Sequence, residues 1–248
     1  MKPNLSQTVG EIAIAHPAAI RVFESLGIDY CCGGARTLKD ACDHAGVPAV
    51  IALESLESAN DGPVDTDGGN LAEASCQELI RHIVSRHHHY VRGETPRLLE
   101  MLGKVLDAHR ETHPELVSLR DLFTALAQDL AAHMMKEENV LFPYLERMEL
   151  AVSQGAAPPP AMFGSVEMPI SRMLADHEDA GEVLSRMRAL SSGYHAPDSA
   201  CPTYRGLYVG LEEFERDLHR HIHLENNILF PRALRMEQES STAVQERR

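Results

Sequence analysis

Two stretches of the sequence repeat one frame of imidazole and carboxylate side chains beside an apolar run. Residues 133–143 read HMMKEENVLFP, and residues 221–231 read HIHLENNILFP. Four positions recur with a displacement of 88 residues (221 − 133 = 88): Asp129, His133, Glu137 and Leu141 return as Asp217, His221, Glu225 and Leu229. A spacing of four places each set on one helix face. Since a buried carboxylate and imidazole are costly without a partner, the repeat indicates a cation between them.

Further histidines that could complete such a site occur in two other segments. RHHHYV holds three adjacent histidines at 87–89, and LADHEDAG holds His177. The chain places 45 residues between His88 and His133 and 44 between His177 and His221, so two helical hairpins could bring these histidines to similar heights. The spacing alone leaves His89 open as an alternative, because it also lies 44 residues before His133 (133 − 89 = 44).

The donor set favours iron over other common metals. Structural zinc sites favour cysteine ligands, and calcium and magnesium prefer oxygen ligands. Four histidines and two carboxylates in a helical bundle instead suit a carboxylate-bridged pair of irons. If both glutamates bridge and an oxo or hydroxo group joins the metals, each iron keeps about one open octahedral position for O2 or NO. We therefore predict two iron ions per chain in a non-haem di-iron centre.

Three aspartates and the remaining histidines are assigned by position. Asp129, Asp176 and Asp217 could orient ligand histidines or relay protons, although an exposed helix charge explains each equally well. Surface positions are expected for other histidines, among them His109, His113, His195, His219 and His223.

The adjacent Cys31 and Cys32 follow an apolar stretch and precede two glycines, so a turn should expose at least one thiol. Neighbouring cysteines rarely form an unstrained disulfide. Exposed thiols here could bind or transfer iron, take up NO or exchange with other thiols. Alternatively, the pair is two small apolar residues at a tight turn. Cys76 and Cys201 are interpreted as packing residues.

The elements that must position these residues are all helical. Helical periodicity places long helices near 73–109, 115–149, 167–191 and 203–237, joined by short or moderate loops. These predict an all-α protein with an antiparallel four-helix bundle. We predict a small helical domain at 1–60, a linker at 61–70 (DGPVDTDGGN), the bundle at 71–240 and a tail at 241–248.

Composition excludes several classes of partner and location. The formal net charge of −14 argues against binding to nucleic acid or to an anionic membrane. The sequence contains no apolar run long enough to span a bilayer, and its N-terminus does not resemble a signal peptide. Five cysteines, two of them adjacent, do not suit a disulfide framework, which favours a reduced cytoplasmic protein.

Two groups of motifs together resemble a known family. FESLGIDYCCGGARTLKDAC precedes HHHYV, HPEL, HMMKEENVLFPY and HIHLENNILFPR, an order that resembles the bacterial iron-sulfur cluster repair (repair-of-iron-centres) proteins. These join a Cys-Cys-Gly-Gly domain to a hemerythrin-like di-iron bundle. The resemblance favours His88 over His89, and it implies the ligand set His88, His133, Glu137, His177, His221 and Glu225.

The resemblance also implies a function in nitrosative and oxidative stress. The protein would repair damaged iron-sulfur proteins by supplying labile iron, by removing NO, or by both, and it could form a homodimer. Two alternatives remain open: a di-iron nitric oxide reductase that produces nitrous oxide, and a sensor or carrier of O2 or NO. Pure carriage needs no cysteine domain, so the DYCCGG motif counts against the second alternative.

Overall fold

A computed structural model describes residues 3–59 and 71–246, and these residues form helices joined by loops. The linker predicted at 61–70 lies outside the described residues. The described part contains no strand beyond a single bridge between Thr8 and Thr37, so the all-α prediction is confirmed. Among the described helices, none has the length and apolar character needed to cross a lipid bilayer.

Four short helices form the N-terminal part of the chain: α1 (Val9–Ala15), α2 (Ala18–Leu26), α3 (Leu38–Ala45) and α4 (Ala49–Ser58). Thr8 and Glu11 begin α1 as a reciprocal capping box, in which each side chain accepts a hydrogen bond from the other's backbone N–H. Gly27 and Gly46 end α2 and α3 in the left-handed conformation that favours glycine. The four helices bury a shared apolar core that includes Val9, Ile12, Phe23, Leu38 and Ala52.

Four long helical stretches follow, and three of them change from α to π geometry partway along. The first is α5 (Cys76–His82), π1 (Ile83–His88) and α6 (His89–His109). The second is α7 (Glu115–Lys136), π2 (Glu137–Leu141) and α8 (Phe142–Ser153). The third is α9 (Glu167–Leu190), and the fourth is α10 (Pro202–Leu224), π3 (Glu225–Leu229) and α11 (Phe230–Glu246). These are the four predicted helices, the last of which continues to Glu246 instead of ending near 237.

The apolar stripe of α7 explains how polar ligands reach the interior. Its buried residues recur every three or four positions: Leu116, Leu119, Phe123, Leu126 and Leu130. The same rhythm continues to His133 and then to Glu137, which are also buried. In α10 the equivalent stripe of buried Leu207, Leu211, Phe214 and Leu218 continues to His221 and Glu225. Candidate ligands therefore occupy positions that the pattern would otherwise give to leucine.

The chain divides into two compact units, and each long stretch of helix contributes to both. The bundle unit comprises residues 83–144 and 171–218. Its four helical segments pack around aromatic and aliphatic side chains, with the Phe214 ring 5.2 Å from Phe123 and 6.3 Å from Tyr90 between centroids. A short loop joins α6 to α7, which makes these two helices antiparallel neighbours.

The N-terminal unit comprises the described residues within the ranges 1–82, 145–170 and 219–248. Within it, glutamates on neighbouring helices accept hydrogen bonds from backbone N–H groups at the first turns of two helices, which have no acceptor within their own helix. Glu149 accepts from the backbone N–H groups of Cys76 and Gln77, at 2.7 and 3.1 Å. Glu237 accepts from the Val166 N–H at 3.0 Å, just before α9 begins.

Candidate metal centre

The six predicted ligands are all buried, and three of them lie at the ends of π segments. His88 is the last residue of π1, and Glu137 and Glu225 are the first residues of π2 and π3. Such π segments widen a helix by one residue and occur frequently at functional sites. Each ligand residue is exposed by 3 % or less: His88, His133, Glu137, His177, His221 and Glu225.

In the bundle unit, Glu137 lies among three histidines. Its Oε1 atom is 3.1 Å from His133 Nε2, and its Oε2 atom is 3.4 Å from His88 Nε2. His177 Nε2 lies 3.1 Å from His133 Nε2. No described residue donates a well-aligned hydrogen bond to either Glu137 oxygen. A buried carboxylate in this state requires a positive partner.

The distances in this group fit a metal ion. Ligand atoms at about 2.1 Å from one ion and at right angles to each other are about 3 Å apart. The separations of 3.1 Å from His133 Nε2 to Glu137 Oε1 and to His177 Nε2 match that value. Within the bundle unit, the ligand atoms of His133, Glu137 and His177 all lie within 4.8 Å of one another, as a single ion requires.

The second copy of the repeat has the same local geometry. In the N-terminal unit, His221 Nε2 lies 3.1 Å from Glu225 Oε1, the distance that also separates His133 from Glu137. Both pairs are four residues apart, and both glutamates begin a π segment. The sequence repeat is therefore also a repeat in three dimensions.

The three adjacent histidines at 87–89 have different surroundings. His88 is completely buried, turns its Nε2 atom towards Glu137 and stacks on Phe142. His87 is also buried, but its Nδ1 atom lies 3.1 Å from Asp217. His89 is exposed. The geometry therefore favours His88 as the candidate ligand among the three, as the resemblance does.

Two carboxylates contact the Nδ1 atoms of two candidate ligand histidines. His88 Nδ1 lies 2.6 Å from Glu138, whose same oxygen also accepts a hydrogen bond from Arg92 at 2.8 Å. Burial opposes ionisation of Glu138, yet these two partners hold its pKa below the usual range. His133 Nδ1 lies 3.4 Å from Asp176, which accepts from Lys136 at 3.0 Å. Such partners fix the tautomer and ring orientation of a metal-binding histidine.

Of the three predicted aspartates, only Asp176 contacts a candidate ligand, and that ligand is His133 on α7. Asp217 pairs with His87, and the exposed Asp129 has no hydrogen bond or ion pair to a described ligand histidine. Sequence reasoning missed Glu138. Two features of the sequence could have indicated it: Glu138 directly follows Glu137, and Arg92, its other partner, lies four residues after His88.

The loop that carries the cysteine pair is organised by Asp29. Its Oδ1 atom accepts the N–H groups of Cys31 and Cys32 at 3.1 and 2.9 Å, and its Oδ2 atom accepts that of Gly33 at 2.8 Å. Cys31 is buried and Cys32 is partly exposed. The hydrogen bond to Cys32, together with burial, raises the pKa of the Cys31 thiol well above its usual range.

Two asparagines directly after Glu225 hold this loop. Asn226 and Asn227 donate to the Cys31 carbonyl oxygen, each at 3.3 Å, and Asn227 also reaches the Tyr30 carbonyl at 3.2 Å. A Cβ atom on Gly34 would overlap the Asn227 side chain, so a larger residue there would require that side chain to move.

Two of the assigned surface and packing positions differ from the prediction. His223, expected on the surface, is buried beside the Tyr30 ring, and burial lowers its pKa to about 4. Cys201, interpreted as a packing residue, is partly exposed with its sulfur 3.3 Å from His109 Nε2. That contact is the main cause of a lowered pKa of the Cys201 thiol.

Comparison with known proteins adds two domains and a set of relatives. Residues 79–233 match the hemerythrin HHE cation binding domain, and residues 5–60 match a domain of unknown function, DUF542. The iron-sulfur cluster repair protein YtfE of Dickeya chrysanthemi is 38% identical over 93% of this chain and 98% of its own length. The protein of the same name from Pectobacterium atrosepticum is also 38% identical, over 93% of this chain and 98% of its own.

Proposed function

This chain belongs to the iron-sulfur cluster repair proteins that carry a hemerythrin cation-binding domain, and we propose that it repairs damaged iron-sulfur clusters with a di-iron centre. The relatives that carry this name match nearly the whole chain, including its N-terminal domain. The observation that supports the proposal best is the buried Glu137 carboxylate among His88, His133 and His177.

The proposed centre has six ligands. The two copies of the repeat supply four of them, and two other helical stretches supply one histidine each. We assign bridging roles to Glu137 and Glu225, and we assign two of the four histidines His88, His133, His177 and His221 to each iron. The matching geometry of the two repeat copies supports this assignment, because each supplies one imidazole and one carboxylate at the same distance. Imidazole and carboxylate donors without thiolates suit iron.

The protein's own residues prepare the site for its ligands. Glu138 and Asp176 occupy the Nδ1 sides of His88 and His133, which leaves the Nε2 atoms directed at the buried interior. Burial of all six ligands would limit the access of water to bound metals. When bound, the two irons would supply exchangeable iron and open positions for NO or O2.

The cysteine pair and the target proteins complete the proposal. We propose that damaged iron-sulfur proteins are the partners and that Cys31 and Cys32 act in iron or thiol transfer to them. The loop supports this role because Cys32 is partly exposed and because Asp29 holds the backbone of the buried Cys31 beside it.

A reactivation assay tests the proposed function. An iron-sulfur dehydratase inactivated by NO would be incubated anaerobically with the iron-loaded chain, and recovery of its activity would be measured. We expect recovery with the wild-type chain and little with Glu137→Ala. Loss of NO to nitrous oxide without recovery would instead support the NO-reducing alternative, and no recovery with a fully iron-loaded chain would refute repair.

A further inference from the structure

The loop before α3 brings three potential metal ligands together: Asp29, Cys31 and Cys32. One ligand atom from each lies within 4.8 Å of the other two. The two sulfur atoms are 3.9 Å apart, and the Cys31 sulfur is 3.4 Å from Asp29 Oδ1. A disulfide would need about 2.05 Å between the sulfurs, so the two thiols are separate groups.

These separations fit the corners of a tetrahedron around one metal ion. With metal–sulfur distances of about 2.3 Å, two thiolates at the tetrahedral angle are about 3.8 Å apart. A carboxylate oxygen at about 2.1 Å from the same ion would be about 3.6 Å from each sulfur. The observed 3.9 and 3.4 Å are close to both values. The side chains would need little rearrangement to bind an ion.

We infer that Asp29, Cys31 and Cys32 bind one divalent transition-metal ion, separately from the histidine and glutamate centre. Two thiolates exclude calcium and magnesium as natural occupants, and they suit Fe²⁺, Zn²⁺ or Co²⁺. Binding would form two metal–sulfur bonds and one metal–oxygen bond, and the two thiol protons would leave to solvent. No electron transfer is required.

The loop is held in the shape that this site needs. Asp29 accepts the backbone N–H groups of both cysteines, so the three ligands cannot separate without breaking those hydrogen bonds. The side chains of Asn226 and Asn227 fix the Cys31 carbonyl from the other side. Cys31 is buried, whereas Cys32 is partly exposed and Asp29 is exposed, which gives an ion a path from solvent.

Three protein ligands leave a fourth tetrahedral position open. Structural zinc sites fill all four positions with protein ligands, whereas sites with three protein ligands keep the fourth position for a ligand from outside the protein. An ion in the cysteine loop could therefore be passed to an acceptor thiolate on a partner protein. This assignment deepens the transfer role proposed above and rests on it for its purpose, although metal binding itself can be tested alone.

Cobalt titration provides the test. Co²⁺ would be added anaerobically to the reduced, iron-loaded full-length chain, and thiolate-to-cobalt charge-transfer absorption would be recorded. The histidine and glutamate centre has no sulfur ligand and cannot produce this band. We expect about one Co²⁺ per chain at saturation of the band, which should be lost in Cys31→Ser and in Cys32→Ser. In Asp29→Asn we expect affinity to fall more than about tenfold, since even outer partners of ligands have effects of that size.

Cys201→Ser is the matched control, because Cys201 is a partly exposed thiol whose described partner is His109 and not a second sulfur. Its band should equal that of the wild-type chain. Circular dichroism and the iron spectrum would verify folding of each variant, and Cys32→Ser, at a partly exposed position, should perturb the fold least. Absence of the band in the wild-type chain, or its persistence without Cys31 and Cys32, would overturn the inference. Reactivation of the damaged dehydratase in either case would leave the proposed function intact.

Discussion

Among single residues, Glu137 has surroundings that require a cation. Its carboxylate is completely buried and its oxygens have imidazole nitrogens at 3.1 and 3.4 Å. We expect Glu137→Ala to remove a bridging ligand and most of the bound iron, measured as metal content and as visible absorption. Glu182→Ala, an exposed change on α9, is the control and should retain both irons. Full iron loading in both Glu137→Ala and Glu225→Ala would rule out the assignment of bridging carboxylates.

The histidines at 87–89 provide a second prediction with its controls built in. Consecutive helical residues point about 100° apart, so the three rings cannot share one direction. Only His88 directs a nitrogen at Glu137, whereas His87 faces Asp217 and His89 is exposed. His88→Ala should therefore severely weaken one iron, measured by metal analysis. His87→Ala and His89→Ala should keep both metals. Loss of iron in His89→Ala alone would mean that His89 is the ligand and that the helix register must be assigned one residue later.

Glu138 acts on the metal only through His88, and its removal should have a smaller effect. Glu138→Gln would weaken the 2.6 Å contact that orients the His88 ring. Affinity for iron should fall by about 10- to 100-fold, the usual range for partners of metal ligands. Competition with a chelator would measure this affinity, and Glu182→Gln would control for loss of a charge. An unchanged affinity would mean that packing on Phe142 alone orients His88.

At the scale of elements, the helices were predictable and their π segments were not. Apolar residues at intervals of three and four identify α7 and α10, and the same rhythm leads to His133 and His221. The change to π geometry at Glu137 and Glu225 has no sequence pattern of its own. It depends on how each helix accommodates one extra residue against its neighbours, which local propensity does not encode.

The two copies of the repeat differ in the contacts of one asparagine, and this difference can be tested. Asn139 and Asn227 are equivalent positions (227 − 139 = 88), but Asn139 donates only to Met135 in its own helix. Asn227 instead holds the carbonyl groups of Tyr30 and Cys31. Asn227→Ala should loosen the cysteine loop and speed alkylation of the buried Cys31 by about tenfold, since losing a buried hydrogen bond costs about 1–3 kcal/mol.

Mass spectrometry of the Cys31 peptide after timed exposure to iodoacetamide would measure that rate. Asn139→Ala is the control, because it removes the same amide from the copy of the repeat that holds no loop. Equal rates in both variants would show that the asparagine does not restrain the cysteine loop.

For the whole molecule, the sequence predicted the ligand positions that occur in two copies. It did not predict the contacts between segments that are distant along the chain. The frame around His133 and Glu137 could be found because a second copy made the ligand positions stand out from fourteen histidines. The pairing of Glu138 with His88 could not be found in the sequence, because it joins residues 50 apart and depends on how two helices are rotated about their axes. The contact of Asn227 with Cys31 is more distant still, at 196 residues.

The separation of ligand chemistry from thiol chemistry along the chain leads to the last prediction. No cysteine belongs to the ligand set proposed for the histidine and glutamate centre, so Cys31→Ser combined with Cys32→Ser should leave the two irons of that centre and their visible spectrum unchanged. Reactivation of an NO-damaged dehydratase should nevertheless fall several-fold, because the loop would lose both thiols that could pass iron or exchange with a partner. Cys201→Ser should reactivate normally, since that thiol contacts His109 and not the loop. If the double variant repairs at the wild-type rate, the pair serves only to pack a tight turn.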